Sequence, residues 1–176
     1  MASPTLTVVG GGRGGLRQGA VYAAAPVFWL PDDLQILRPP GRPEWGDTRG
    51  EQWSDVRDRF RLGDRVERVV AYAKMRPVVV VANAAEVRGR EPVRVAPLYS
   101  YNPGSLAERR RTEIEAGSVP HALHVRAAGR LREGYVNLRE AALVPRSLLD
   151  DREHVGDLDA LSLATLLRHY ATYVAA

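Results

Sequence analysis

The chain has 176 residues, 45% hydrophobic and 26% charged: enough for one domain with its own core, and too mixed in sign for a disordered polyelectrolyte. It contains no cysteine, which excludes disulfides, thiolate metal sites and cysteine nucleophiles. Net charge is +4, from 25 Lys+Arg against 21 Asp+Glu, and Lys74 is the sole lysine. An arginine-dominated surface suits phosphate, because guanidinium is a planar fork of donors. High genomic GC content, raising Arg, Ala, Gly and Val together, explains the same bias with less. No apolar run reaches the length of a membrane span, and the N-terminus lacks the basic start and long apolar core of a signal peptide. A cytoplasmic protein with no membrane partner is expected.

Thr5-Leu6-Thr7-Val8-Val9 leads into the glycine run 10–15, in which Gly10, Gly12 and Gly15 satisfy the G-x-G-x-x-G spacing of a dinucleotide fold. That fold needs a helix next and a second strand ending in an acidic residue. Residues 18–25 offer only a short helix before Pro26, and Asp32 and Asp33 follow no clear strand. A flexible glycine-rich arm over residues 1–15 is the expected reading, with no cofactor. Residues 31–53 carry Pro31, Pro39, Pro40, Gly41, Pro43, Gly46 and Gly50 and are expected as loop. Trp53, Val56 and Phe60 suggest a short helix packed on the rest of the domain. Trp45 and Trp53 are candidates for base stacking, with core packing the simpler role. Val66–Tyr72 reads as a strand.

The most informative stretch is Lys74-Met75-Arg76-Pro77-Val78-Val79-Val80-Val81-Ala82-Asn83. Four valines in a row predict a strand buried on both faces, with Pro77 as its first residue, where no donor is needed. Val93-Arg94-Val95-Ala96-Pro97-Leu98-Tyr99-Ser100 predicts a second strand, joined to the first by a polar loop over 84–92. Antiparallel pairing would bring Arg76 and Ser100 to the same end of the sheet. Farther on, 105–115 reads as a solvated helix or loop, its Arg109, Arg110 and Arg111 balanced by glutamates. Pro120–Arg126 alternates, with Leu123 and Val125 on one face and His124 and Arg126 on the other. His121 and His124 would point to opposite faces, against a shared metal, and His124 is expected at the surface. Residues 134–146 predict the last strand and its exit. Gly156-Asp157-Leu158 then starts a C-terminal helix capped by Asp157 or Asp159, with Leu163, Leu167, Tyr170 and Val174 on its apolar face.

Arg76-Pro77 opening a valine strand, followed by a strand that closes on Pro97-Leu98-Tyr99-Ser100, resembles the core of the PemK/MazF toxin family. Leu16-Arg17-Gln18-Gly19-Ala20-Val21-Tyr22 is similar to that family's first strand, and residues 134–146 to its closing segment. The resemblance implies a mainly β fold with α (α+β): an SH3-like small β-barrel with a C-terminal helix, occupying 16–176 with an insertion at about 31–62, where the family has a short loop. It also implies cleavage of single-stranded RNA without metal. By the same match, Arg76 stabilises charge at the scissile phosphate, and a hydroxyl from Tyr99 or Ser100 assists. Tyr99 stands where the family usually has threonine, and Ala20 where it usually has aspartate. The general base is open, with Glu67 and His124 as candidates. A homodimer and an antitoxin protein lying over the RNA groove complete the expectation. The two departures support an alternative, a catalytically inactive barrel that binds protein or nucleic acid. A nucleotide-cofactor enzyme built on the glycine run is the remote third reading.

Overall fold

The computed structural model describes residues 5–10, 15–29, 35–37, 50–52, 68–69, 72–89, 92–101 and 108–174. The chain divides into two compact units, one of residues 1–27 and 74–176, the other of 28–73. The class is sheet-dominated α+β, with a nine-stranded sheet and, among the described residues, three α-helices.

The strands are β1 (Thr5–Leu6), β2 (Val8–Val9), β3 (Ala20–Trp29), β7 (Tyr72–Val80), β8 (Val93–Ser100), β9 (Ala122–Val125), β10 (Gly134–Asn137), β11 (Ala142–Val144) and β12 (His154–Leu158). They lie in the order β1-β9-β10-β8-β7-β3-β12-β2, with β11 added to β8. The order begins and ends on one five-residue stretch. Thr5–Leu6 pairs β9 in parallel, Val8–Val9 pairs β12 antiparallel, and Thr7 separates them. Thr7 is pinned between the two pairings, its N–H donating to Ser162 Oγ at 2.8 Å and its carbonyl accepting from Asp159 N–H at 3.1 Å. Residues 5–9 of the expected arm are therefore sheet, with Leu6 fully buried. No helix follows the glycine run: residues 20–29 are β3, so the dinucleotide fold lacks the helix it needs there.

The valine strand is buried on both faces, as its composition predicts. Val79 joins a core with Val21, Leu98, Leu123, Val136 and Leu166, while Val78 and Val80 join a second core with Tyr22, Val87, Val95 and Val144. The antiparallel pairing with β8 also holds, through Val78↔Pro97, Val79↔Ala96 and Val80↔Val95. Pro77, expected to open the strand, lies inside β7, next to the Val78↔Pro97 pairing with β8.

The link over 84–92, expected as loop, holds the helix α1 (Ala84–Arg88). Asn83 Oδ1 accepts from the N–H groups of Ala85 and Glu86 at 2.9 Å, and Glu86 returns a carboxylate to Asn83 N–H at 2.9 Å. This capping box satisfies the orphan donors of the first turn and makes one buried side chain, Val87, sufficient to dock the helix. Helix α2 (Glu108–Glu115) bears out the solvated reading, with Arg109–Glu113 and Arg111–Glu115 pairs at 3.1 and 2.6 Å, but it buries Ile114.

Two corrections concern the C-terminal part. Residues 134–146 are not the last strand: they form β10, a 3-10 turn (Leu138–Glu140) and β11. Gly156-Asp157-Leu158, expected to start the helix, belongs to β12, which is held from both sides by β2 and β3. A Cβ on Gly156 would stand 2.4 Å from the Val9 carbonyl oxygen, so only glycine lets β2 approach. Helix α3 (Ala160–Val174) begins where Asp159 Oδ1 accepts from Ser162 N–H at 2.7 Å, which selects Asp159 as its cap. Its most buried apolar residue is Leu166, with Leu163, Tyr170 and Tyr173 packed beside it.

In the second unit, β5 (Gly50–Gln52), β4 (Gln35–Leu37) and β6 (Arg68–Val69) form an antiparallel sheet in the order β5-β4-β6. Segments 35–37 and 50–52 thus pair as strands inside a stretch expected to be loop. Trp45, Trp53, Glu67 and the short helix expected around Val56 lie outside the described residues.

Candidate functional site

The register of β7 with β8, continued two residues back from Val78↔Pro97, sets Arg76 opposite Tyr99. The contact is direct: Arg76 Cζ lies 4.3 Å from the Tyr99 ring centroid, a cation–π pairing that leaves the guanidinium N–H edge free to donate. Across the next ladder, Tyr99 faces Tyr135 of β10 and Ser100 faces Gly134. Met75, Arg76, Pro77, Leu98, Tyr99, Ser100, Arg130, Leu131, Arg132, Gly134 and Tyr135 enclose a groove of about 290 Å³. Arg76, Tyr99 and Ser100, the three residues singled out from sequence, therefore line one groove.

Gly134 lets two of the groove's strands, β8 and β10, approach closely. A Cβ there would stand 1.9 Å from the Tyr99 carbonyl oxygen. Glycine lets β10 come close enough for Tyr135 to stack on Tyr99, with centroids 5.5 Å apart and planes 20° from parallel. Tyr135 also stacks on Tyr101 at 5.8 Å, and Tyr101 on His124 at 5.8 Å. The row follows from register, since Tyr135 is paired with Tyr99 on one side and with His124 on the other.

The Tyr99 hydroxyl donates to the Glu140 carboxylate, which also accepts from Asn137 Nδ2 at 2.8 Å. Burial first, and then this hydrogen bond, push the Tyr99 phenol well above its ordinary value, against the pull of Arg76. At neutral pH Tyr99 is a neutral donor, not a phenolate base. Arg130 is engaged with the Arg152 carbonyl at 2.8 Å and with Glu153 at 3.5 Å. Among the described residues, Arg76 and Arg132 are paired with no carboxylate, so the groove presents two cations to an anionic ligand.

His124 is placed elsewhere. It is 7% exposed, not at the surface as expected, and is not among the residues lining the groove. Strand β9 is buried on both sides because Ile114 of α2 and Val119 pack on Ala122, on the face that alternation alone assigned to solvent. Burial lowers the His124 pKa, opposed by Glu133 and Glu115. Its Nδ1 is 3.2 Å from the Tyr101 hydroxyl, and its Nε2 is 3.4 Å from Glu133 Oε1. Glu115, His124 and Glu133 each bring one ligand atom within 4.8 Å of the others.

Sequence reasoning missed Tyr135, Glu140, Arg130 and Arg132. The alternation over 134–137 does put Tyr135 opposite Val136, so its face was readable. Glu140 was not, since its place depends on the 3-10 turn after β10. Among the described residues, no helix is long and apolar enough to cross a membrane. Compared with known proteins, the chain matches no protein-family model and no curated sequence.

Proposed function

We propose that the groove binds single-stranded RNA and cleaves it without metal, and that the chain is a PemK/MazF-like toxin endoribonuclease. The observation carrying this reading is the convergence of Arg76, Tyr99 and Ser100 on one groove that also holds Arg132 and a stacking tyrosine. Unpaired cations suit a phosphate backbone, and Tyr135 offers a base a ring face. The fold expectation gains support from Thr5–Val9, which carries both ends of the strand order, as an SH3-like barrel closed on itself would require.

In this mechanism the 2′-hydroxyl attacks phosphorus, the bond to the 5′-oxygen breaks, that oxygen takes a proton from water, and a 2′,3′-cyclic phosphate and a 5′-hydroxyl remain. Arg76 neutralises charge gathering on the phosphorane oxygens. Ser100 Oγ orients the phosphate. Glu140, reaching the groove through the Tyr99 hydroxyl, is the carboxylate positioned to draw off the 2′-hydroxyl proton along that hydrogen bond. His124, buried outside the groove, is not that base, and Glu67 lies outside the described residues. A homodimer and an acidic antitoxin segment pairing with Arg76 and Arg132 complete the proposal.

The test is a pair of oligonucleotides of one sequence, RNA and its all-2′-deoxy counterpart, incubated with the protein in EDTA. Cleavage of RNA with the deoxy strand intact supports the reading. Cleavage of both strands contradicts the 2′-hydroxyl mechanism. Binding of RNA without cleavage favours a second reading, a binding module on the same groove, to which the occupied Tyr99 hydroxyl lends weight.

A further inference from the structure

We propose that Glu115, His124 and Glu133 form a binding site for one zinc ion beside the groove, with Arg111 as its internal competitor. The inference is independent of the ribonuclease reading. The three ligands come from separate elements: the last residue of α2, the middle of β9, and the turn leading into β10. Their ligand atoms already lie within 4.8 Å of one another. Two ligands of a tetrahedral zinc ion, each about 2.0–2.1 Å from the metal, sit about 3.3–3.4 Å apart. His124 Nε2 and Glu133 Oε1 are 3.4 Å apart, so this edge of the tetrahedron is in place.

The imidazole is built as a ligand. It is more than nine-tenths buried, and among the described residues its Nε2 makes no hydrogen bond but lies at ion-pair distance from the Glu133 carboxylate. Its Nδ1 meets the Tyr101 hydroxyl at 3.2 Å, and the Tyr101 ring stacks on it, fixing its orientation as an outer-shell partner of a metal-bound histidine does. One imidazole with two carboxylates suits a borderline ion such as zinc, leaving a fourth position for water.

The positive charge this cluster needs now comes from Arg111. Its guanidinium reaches Glu115 at 2.6 Å and Glu133 at 3.4 Å, and lies 5.0 Å from the Tyr101 ring centroid. The side chain is 44% exposed, so it can swing into water when a doubly charged ion takes its place. Glu133 stands between Arg132 and Gly134, both groove-lining, so zinc would clamp the groove wall to α2.

The full-length protein, stripped with EDTA and dialysed, is titrated with zinc chloride in a calorimeter. Alongside it are Glu133→Gln, Arg111→Gln and, as a control at an unrelated histidine, His169→Gln. One equivalent is expected for wild type, at least about tenfold weaker binding for Glu133→Gln, and tighter binding for Arg111→Gln, with the control unchanged. Glu133 is exposed, so its variant is expected to fold, and circular dichroism checks it. Zinc affinity unchanged by Glu133→Gln, or no binding by either wild type or Arg111→Gln, overturns the proposal. A purely structural ion pair predicts weaker or equal, never tighter, binding in Arg111→Gln.

Discussion

Replacing Gly134 by alanine tests the packing that shapes the groove. The new Cβ would stand 1.9 Å from the Tyr99 carbonyl oxygen, 2.8 Å from its carbon and 2.9 Å from Ser100 Cα. All three are backbone atoms, so no side chain can swing aside. Contacts under 3.0 Å are essentially never seen, so β10 must retreat by at least 3.0 − 1.9 = 1.1 Å. That movement opens the Gly134↔Ser100 pairing and pulls Tyr135 off Tyr99. Gly134 is not among the glycines with positive φ, so the effect is contact and not backbone conformation. Overpacking of this kind costs about 1–3 kcal/mol, and a clash between backbones belongs at the upper end, about 3 kcal/mol. For a chain of this size that is a fall in Tm of about 6–12 °C. Urea denaturation measures it as a lower midpoint at unchanged slope. Gly10→Ala is the control, because nothing lies within 4 Å of its Cβ position. A Gly134→Ala protein within about 0.5 kcal/mol of wild type would refute the close approach of β8 and β10.

Two other outcomes follow from buried groups. Among the described residues the buried Tyr22 hydroxyl has no hydrogen-bond partner, and burial, with Asp151 and Asp157, pushes its pKa up to about 12. Tyr22→Phe is therefore expected to be neutral or stabilising by up to about 1 kcal/mol in urea melts, and a loss above that would mean the hydroxyl is satisfied. His121 and His124 both have pKa values lowered first by burial, with Arg110 and Arg139 adding to the effect at His121. The unfolded chain then binds protons near pH 6.5 that the folded chain resists, so this stability is present above that pH. It is lost as pH falls below 6.5 through the lowered folded values. Urea midpoints in EDTA should fall from pH 7.5 to 5, and fall less in His124→Gln. An equal fall in both proteins would remove His124 from the account.

The fold was legible where composition and period agreed. Four valines state a strand buried on both faces, and the spacing of Leu163, Leu167 and Tyr170 states a helix with one apolar side, although Leu166 proved its best-buried residue. Short elements were legible only in part. Asn83 and Glu86 carry the capping-box spacing, so α1 could have been read from sequence. Strand β12 could not, because His154-Val155-Gly156-Asp157-Leu158 has no strand pattern and is extended by the neighbours that pair with it. The site divides the same way. Arg76, Tyr99 and Ser100 lie on the two strands whose pairing the sequence implied, and they meet in the groove. His124 was placed wrongly because alternation assigns faces to a strand but does not say what covers each face. The Tyr99–Tyr135–His124 row depends on β8, β10 and β9 being neighbours, an order no local pattern carries.

The central claim is that Arg76 acts on a scissile RNA phosphate, and the most direct test compares wild type with Arg76→Ala on a 5′-labelled single-stranded RNA in EDTA. Discrete fragments ending in 2′,3′-cyclic phosphate are expected from wild type, with a rate about 100- to 1,000-fold lower in the variant, the usual cost of losing one charge-stabilising donor. Since Arg76 is half-buried and packs on the face of Tyr99, the variant's urea midpoint accompanies the assay to establish that it is folded. Intact RNA with folded wild-type protein, or fragments produced equally by Arg76→Ala, would contradict the account.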